Sequence, residues 1–190
     1  YYFRTSAPTV ARDLIIIGGW VYDNRAVDEP SGAVRAFSAK NGELVWAWDL
    51  GNPAITKLPP EGGSYTRGTP NVWSTPAYDD KLGLLYLPTG NSPPDFWGAH
   101  RSKAAEEYAS SIVALDIETG RERWKFQTTH HDLWDYDVGT PPTLHDLPDG
   151  KGGTVPALIQ ATKRGQIFLL DRRDGTPLAE VKEVPVPQGA

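Results

Sequence analysis

Apolar and polar positions alternate along this chain in short runs, with side chains changing face every second residue, and glycine, proline, asparagine or aspartate closes each run. That period of two predicts half-buried strands joined by tight turns, not helices. The strongest runs are Leu14 to Gly18, Leu84 to Pro88 and Pro156 to Thr162. Each is preceded by a proline-led run, opening at Pro8-Thr9-Val10, Pro76-Ala77-Tyr78 and Pro142-Thr143-Leu144, so the openings recur at 68 and 66 residues. A second hairpin follows in every copy. Ala36 to Trp46 aligns with Ala114 to Trp124 through Gly42 and Gly120. The third copy, Leu169 to Gly175, departs only at its end, where Ala179 stands in place of tryptophan.

Four strands per copy, with glycine and tryptophan at a fixed offset, is the pattern of a propeller blade. The predicted fold is therefore all-β, a β-propeller of four-stranded antiparallel blades at approximately residues 7–48, 75–127 and 141–181. Three blades do not close a ring, since propellers typically have four to eight, so the chain reads as a fragment of a longer propeller. The first residues, Tyr1-Tyr2-Phe3-Arg4, resemble neither a translation start nor a signal peptide. In an up-and-down blade with strands lettered A to D, the B–C and D–A connections leave on one face. The long insertions, at 19–32, 51–74, 91–110 and 128–141, are all of that kind. One face is thus elaborated for binding.

Composition narrows what that face does. No run approaches the roughly 20 apolar residues of a membrane-spanning helix, and a net charge of −5 without a basic stripe argues against nucleic acid. Cysteine is absent, which excludes thiolate metals and thiol nucleophiles, so redox chemistry here requires a cofactor.

The elaborated loops carry Asp23-Asn24, Trp73, Asn91, the run His130-His131-Asp132-Leu133-Trp134-Asp135, and Lys163-Arg164. Asp and Asn are hard oxygen ligands suited to calcium, the first choice, or magnesium. A carboxylate beside a cation stays ionised and accepts a proton from an alcohol, and a neighbouring lysine stabilises oxyanion character on a cofactor. Each residue also has a structural reading. Asp23-Asn24 forms a turn pair, Trp73 packs a blade, Asp135 caps a turn, and Lys163-Arg164-Gly165 is a hairpin tip. The two histidines lack a third at ligand spacing and read as hydrogen-bonding groups. Convergence on one face is what favours chemistry.

With these residues in view, the chain resembles the membrane-bound pyrroloquinoline-quinone (PQQ) dependent dehydrogenases of the glucose, quinate and shikimate group. The resemblance spans nearly the whole sequence. It rests on Tyr22-Asp23-Asn24 running to Gly32, on Leu87 to Asn91 with Pro94 to Gly98, on His130 to Asp135, on Lys163 to Phe168 with Leu170-Asp171-Arg172, and on Pro185 to Gly189. It implies an eight-bladed propeller with PQQ lying flat near the axis beside Ca2+ or Mg2+. By the same resemblance Asp135 is the catalytic base, Lys163 contacts the quinone carbonyls, Trp73 stacks on the ring, and Asp23, Asn24 and Asn91 are metal ligands. Hydride would pass from a polyol or cyclic hydroxy acid to the C5 carbon of PQQ, and electrons on to ubiquinone through a membrane anchor, in a periplasmic domain of an inner-membrane-anchored bacterial protein. The stretch Gln160 to Gly165 and the Thr-Gly-Asn form favour quinate or shikimate over glucose. A propeller without catalysis, serving as a scaffold for protein contacts, is the expectation of another class.

Overall fold

The computed structural model describes residues 2–3 and 5–185; residues 186–189 of the motif just quoted lie outside that set. In chain order the first strands are β1 (Tyr2–Phe3), β2 (Thr9–Ala11), β3 (Leu14–Ile17), β4 (Trp20–Val21), β5 (Val34–Ser38) and β6 (Leu44–Trp48). Then come β7 (Ala77–Asp79), β8 (Leu84–Pro88), helix α1 (Lys103–Tyr108), β9 (Ser111–Asp116) and β10 (Glu122–Gln127). The last are β11 (Thr143–Pro148), β12 (Thr154–Ala161) and β13 (Ile167–Asp171). Two sheets have the predicted four antiparallel strands in up-and-down order, β2-β3-β5-β6 and β7-β8-β9-β10.

Among the described residues the third sheet departs from expectation, having three strands, β11-β12-β13. Where a fourth would pair, one bridge joins Leu170 to Pro177 and Leu178 donates its N–H to the Leu169 carbonyl. Pro177 has no N–H to extend that ladder. Two further elements were not foreseen. A short ribbon pairs β1 with β4, and α1, capped by the Ser102 hydroxyl on Ala105 N, sits in the insertion after Asn91.

The repeated glycine and tryptophan have a common physical cause. Trp46, on the outer strand of the first blade, donates its indole N–H to the Ile117 carbonyl at 2.8 Å, beside the β9–β10 turn of the second. Gly120 in that turn has φ +67°, and a Cβ there would lie 2.5 Å from the Trp46 ring. Trp124 repeats the arrangement one blade on, bonding the Arg172 carbonyl at 3.3 Å against Gly175. Each tryptophan therefore belongs to the seam with the next blade, and each glycine makes room for it. Arg172 completes the second seam, its guanidinium 2.6 Å from Asp79 and 2.7 Å from Asp146. Around these contacts lie two apolar clusters, one with Trp46, Trp48, Leu85 and Leu115, the other with Tyr86, Trp124, Leu158 and Leu170. Among the described residues no helix is long and apolar enough to cross a membrane.

Candidate active site

The elaborated connections meet at one mouth of the blade array. Gly19 donates its N–H to the Val72 carbonyl, which draws the connection between the first two blades across the top of the first and sets Trp73 beside it. The segment from His130 to Asp137 is folded by Asp132, whose buried carboxylate accepts from Ser110 Oγ, Trp134 N and Tyr136 N at 2.6, 2.9 and 2.8 Å. That winding puts Asp135 in the left-handed region, at φ +61°, which local side-chain hydrogen bonding makes tolerable for aspartate. Lys163 sits on the hairpin tip between β12 and β13, closed by bonds between Thr162, Gly165 and Gln166. The hairpin-tip reading is thus met.

From that tip the Lys163 ammonium reaches 3.1 Å to Asp135 Oδ1, 3.0 Å to the Asp135 carbonyl and 3.2 Å to Asp137 Oδ2. Asp137 in turn accepts the Trp73 indole N–H at 3.1 Å, and its other oxygen takes a short bond from Asn91 N. Trp73 is half-buried. Gly90 and Gly139 lie against its ring, where added Cβ atoms would approach to 3.3 and 2.8 Å. On the neighbouring side Asn24 and Asp95 grip one another, Asn24 Nδ2 donating to the Asp95 carboxylate at 2.5 Å and Asp95 N to Asn24 Oδ1 at 2.8 Å. Asn91 is buried, its amide N–H groups on the Asp95 and Asp132 carbonyls and its oxygen on Ser92 N.

Four carboxylates therefore share this mouth, and they burden one another. Burial pushes Asp95 up to about 7, with Asp23 adding to the effect and the Asn24 bond opposing it. Asp23 is raised by burial and then by Asp137 and Asp135. Asp137 is raised by burial against the pull of Lys163. Lys163 is itself raised, since Asp137 and Asp135 outweigh its desolvation. A second cation, Arg101, directs its terminal N–H groups to the Pro94, Asp95 and Asp132 carbonyls.

Crowded oxygen donors with surplus negative charge fit a hard divalent cation. The positions they take here are those of loop architecture: among the described residues no three His, Cys, Asp or Glu side chains are close enough to hold one ion together. A half-buried indole with an ammonium and a carboxylate at its edge likewise fits a flat anionic quinone. Of the residues singled out from sequence, Trp73, Asn91, Asp135 and Lys163 are joined through Asp137, and Asn24 joins them through Asp95. Asp23 is linked by its field. The two histidines serve as hydrogen-bonding groups, His130 to Gln127 and Glu183 and His131 to Glu106. Asp137 and Asp95 were missed. The signal for Asp137 was its place two residues after Asp135 in the same loop, a second carboxylate beside the first.

Comparison with known proteins agrees with this fold. The model of the family "PQQ: Glucose/ethanol/alcohol dehydrogenase, beta-propeller domain" matches residues 1–190. The chain is 46% identical to the glycerol dehydrogenase large subunit of Gluconobacter thailandicus, over 96% of the chain and 25% of that relative. It is 42% identical to the quinate/shikimate dehydrogenase (quinone) of Acinetobacter baylyi, over 96% of the chain and 22% of the relative. Among solved structures, quinohemoprotein alcohol dehydrogenase ADHIIG from Pseudomonas putida HK5 superposes with a TM-score of 0.75 at 31% identity, covering 97% of this chain and 28% of that one. The chain thus spans about a quarter of the length of the curated relatives it matches. With its blades and seams, and with the family model matching it from end to end, it belongs to the PQQ family of glucose, ethanol and alcohol dehydrogenase β-propeller domains.

Proposed function

We propose that this propeller segment carries the base, the stacking platform and part of the metal site of a PQQ-dependent dehydrogenase that oxidises a polyol or cyclic alcohol. Quinate or shikimate is the first candidate substrate and glucose the second. The observation that carries the reading is the contact of Lys163 with Asp135 across two blades, 28 residues apart in sequence and 3.1 Å apart in space. A base must stand within hydrogen-bond reach of the proton it takes while its charge is held by a fixed partner, and this pair meets the second requirement in a half-exposed position, with 36% of the Asp135 side chain accessible.

In this reading Asp135 takes the proton of the substrate hydroxyl. Lys163 orients that carboxylate and offers N–H donors where charge develops on a quinone oxygen. Trp73 supplies the flat surface on which a planar ring stacks. Asp23, with Asn24 and Asn91, would hold Ca2+ or Mg2+, the two amides exchanging their present loop bonds for the ion. When bound, PQQ supplies the two-electron acceptor that none of the side chains can provide. Passage of electrons to ubiquinone through a membrane anchor, and a periplasmic setting, complete the proposal.

The test is reconstitution of the full-length protein with PQQ and calcium or magnesium, followed by dye reduction with quinate, shikimate, glycerol and glucose as separate substrates. Turnover with quinate or shikimate supports the first candidate, turnover with glucose alone replaces it by the second, and turnover with glycerol alone overturns both named substrates. A protein that neither binds PQQ nor reduces dye with any alcohol overturns it entirely and favours the non-catalytic scaffold.

A further inference from the structure

Asp137 stands out because three components of the site meet on its carboxylate. Oδ2 accepts from the Trp73 indole N–H at 3.1 Å and from the Lys163 ammonium at 3.2 Å, while Oδ1 accepts from the backbone N–H of Asn91. These partners come from three different connections: the link between the first two blades, the hairpin tip of the third, and the B–C insertion of the second. A carboxylate offers about four lone-pair sites, and three are taken by donors with separate duties. Asp137 is also the less exposed of the two aspartates on Lys163, 15% against 36% for the Asp135 side chain. Among the described residues Asp135 Oδ2 accepts no bond, so Asp135 keeps an oxygen for substrate.

The surroundings remove slack from this joint. A Cβ on Gly90 would come within 3.2 Å of Asp137 Oδ1 and 3.3 Å of the Trp73 ring, and one on Gly139 within 2.8 Å of the ring's far edge. The indole is therefore confined between two backbone segments, with its only N–H directed at Asp137. A shift of Asp137 would tilt the stacking surface and displace the ammonium together.

We propose that Asp137 is a positioning residue, which fixes the Trp73 ring, the Lys163 ammonium and the Asn91 backbone as one rigid unit, and is neither the base nor an ion ligand. This rests on the PQQ reading above. It assigns the two aspartates of Asp135-Tyr136-Asp137 different work: the exposed one meets the substrate, the enclosed one holds what meets the cofactor.

The experiment compares full-length wild type, Asp137→Ala, the near-isosteric Asp137→Asn and Gly139→Ala, each with saturating calcium. PQQ affinity, the absorption spectrum of the bound quinone, and kcat and KM for the alcohol at saturating PQQ are measured. Loss of an orienting group at a preorganised site costs roughly 10- to 100-fold. Asp137→Ala is expected to weaken PQQ binding by about that factor, to shift the quinone absorption band and to lower kcat, with KM for the alcohol changing less than about twofold. Asp137→Asn, which keeps an acceptor for Trp73 and loses the charge on Lys163, should fall between. Gly139→Ala should weaken PQQ binding by displacing the ring while leaving Lys163 in place. Wild-type affinity and spectrum in both Asp137 variants, with only thermal stability reduced, would overturn the proposal. So would a defect fully restored by raising calcium, which would mark an ion ligand. A wild type that binds no PQQ overturns this and the functional reading together, whereas binding that is equal in wild type and variants overturns this alone.

Discussion

The seams between blades and the mouth above them treat buried carboxylates in opposite ways. At the second seam Asp79 is almost fully buried, yet hydrogen bonds from Leu82 N and the Arg172 guanidinium outweigh burial and hold it below its ordinary range. Asp171 is lowered likewise, by Arg173 first. At the mouth, burial and like charge raise Asp23, Asp95 and Asp137. Each seam carboxylate faces an arginine, Asp79 and Asp146 sharing Arg172 and Asp171 taking Arg173; at the mouth Asp135 and Asp137 share Lys163, and burial and like charge are left to raise Asp23 and Asp95. A group of acids kept in mutual repulsion persists where function requires it, because the fold alone would be more stable with fewer. The comparison separates carboxylates that hold the blades together from carboxylates that burial and like charge leave under strain, the ones at the candidate site.

The largest effect expected from breaking that division is on activity. Asp135→Asn in the full-length holoenzyme should lower kcat by about 10²- to 10⁴-fold, the usual contribution of a positioned base. PQQ binding and melting temperature should stay close to wild type. Unchanged turnover would remove Asp135 from the role of base.

At the seam the corresponding change acts on stability. Trp46→Ala deletes a ring that is 2% exposed and its bond to Ile117, and should cost about 3–5 kcal/mol in denaturant unfolding. A cost under about 1 kcal/mol would show that the first two blades are held elsewhere.

The mouth should declare itself by pH. Asp95 keeps its proton up to about 7 in the fold, whereas an unfolded aspartate loses it near roughly 4. Folding therefore takes up a proton between those values. The stability Asp95 contributes is fully present below about pH 4 and is lost as pH rises through about 7. In chelator, the melting temperature should fall over that window, and Asp95→Asn should flatten the fall by an amount on the order of 1–3 kcal/mol. Added calcium should offset the loss at pH 7 and above. A wild-type profile flat from pH 4 to 8 would contradict the crowding of carboxylates.

The smallest effect belongs to an exposed pair outside both regions. Lys40 and Asp13 approach to 2.6 Å with both side chains more than two-thirds exposed. Solvent and salt screen such a pair, so Lys40→Ala should leave the melting temperature unchanged within error.

Much of the architecture was legible before any coordinates. Alternation, turn glycines and the Gly42/Trp46 and Gly120/Trp124 repeat gave strands, hairpins and blades, because these are local patterns repeated at a fixed period. The connectivity rule for an up-and-down blade gave the face on which the long loops gather, and those loops supplied Trp73, Asn91, Asp135 and Lys163, which the fold brings together. The incomplete third sheet was not legible: after Gly175 the polypeptide continues with apolar residues whose pairing depends on neighbouring main chain. Nor were Asp95 and Asp137, whose side chains look like ordinary turn aspartates until the residues facing them are known.

By itself, then, the sequence determined the period, the strand order within a blade and the family, since each is encoded by contacts between residues near in the chain or by motifs read in place. Only the tertiary structure decided that Asp95 would lock with Asn24, 71 residues away, and that Asp137 would join Trp73 to Lys163. Those contacts are set by how successive blades rotate against one another, and that rotation comes from seam packing summed over many side chains.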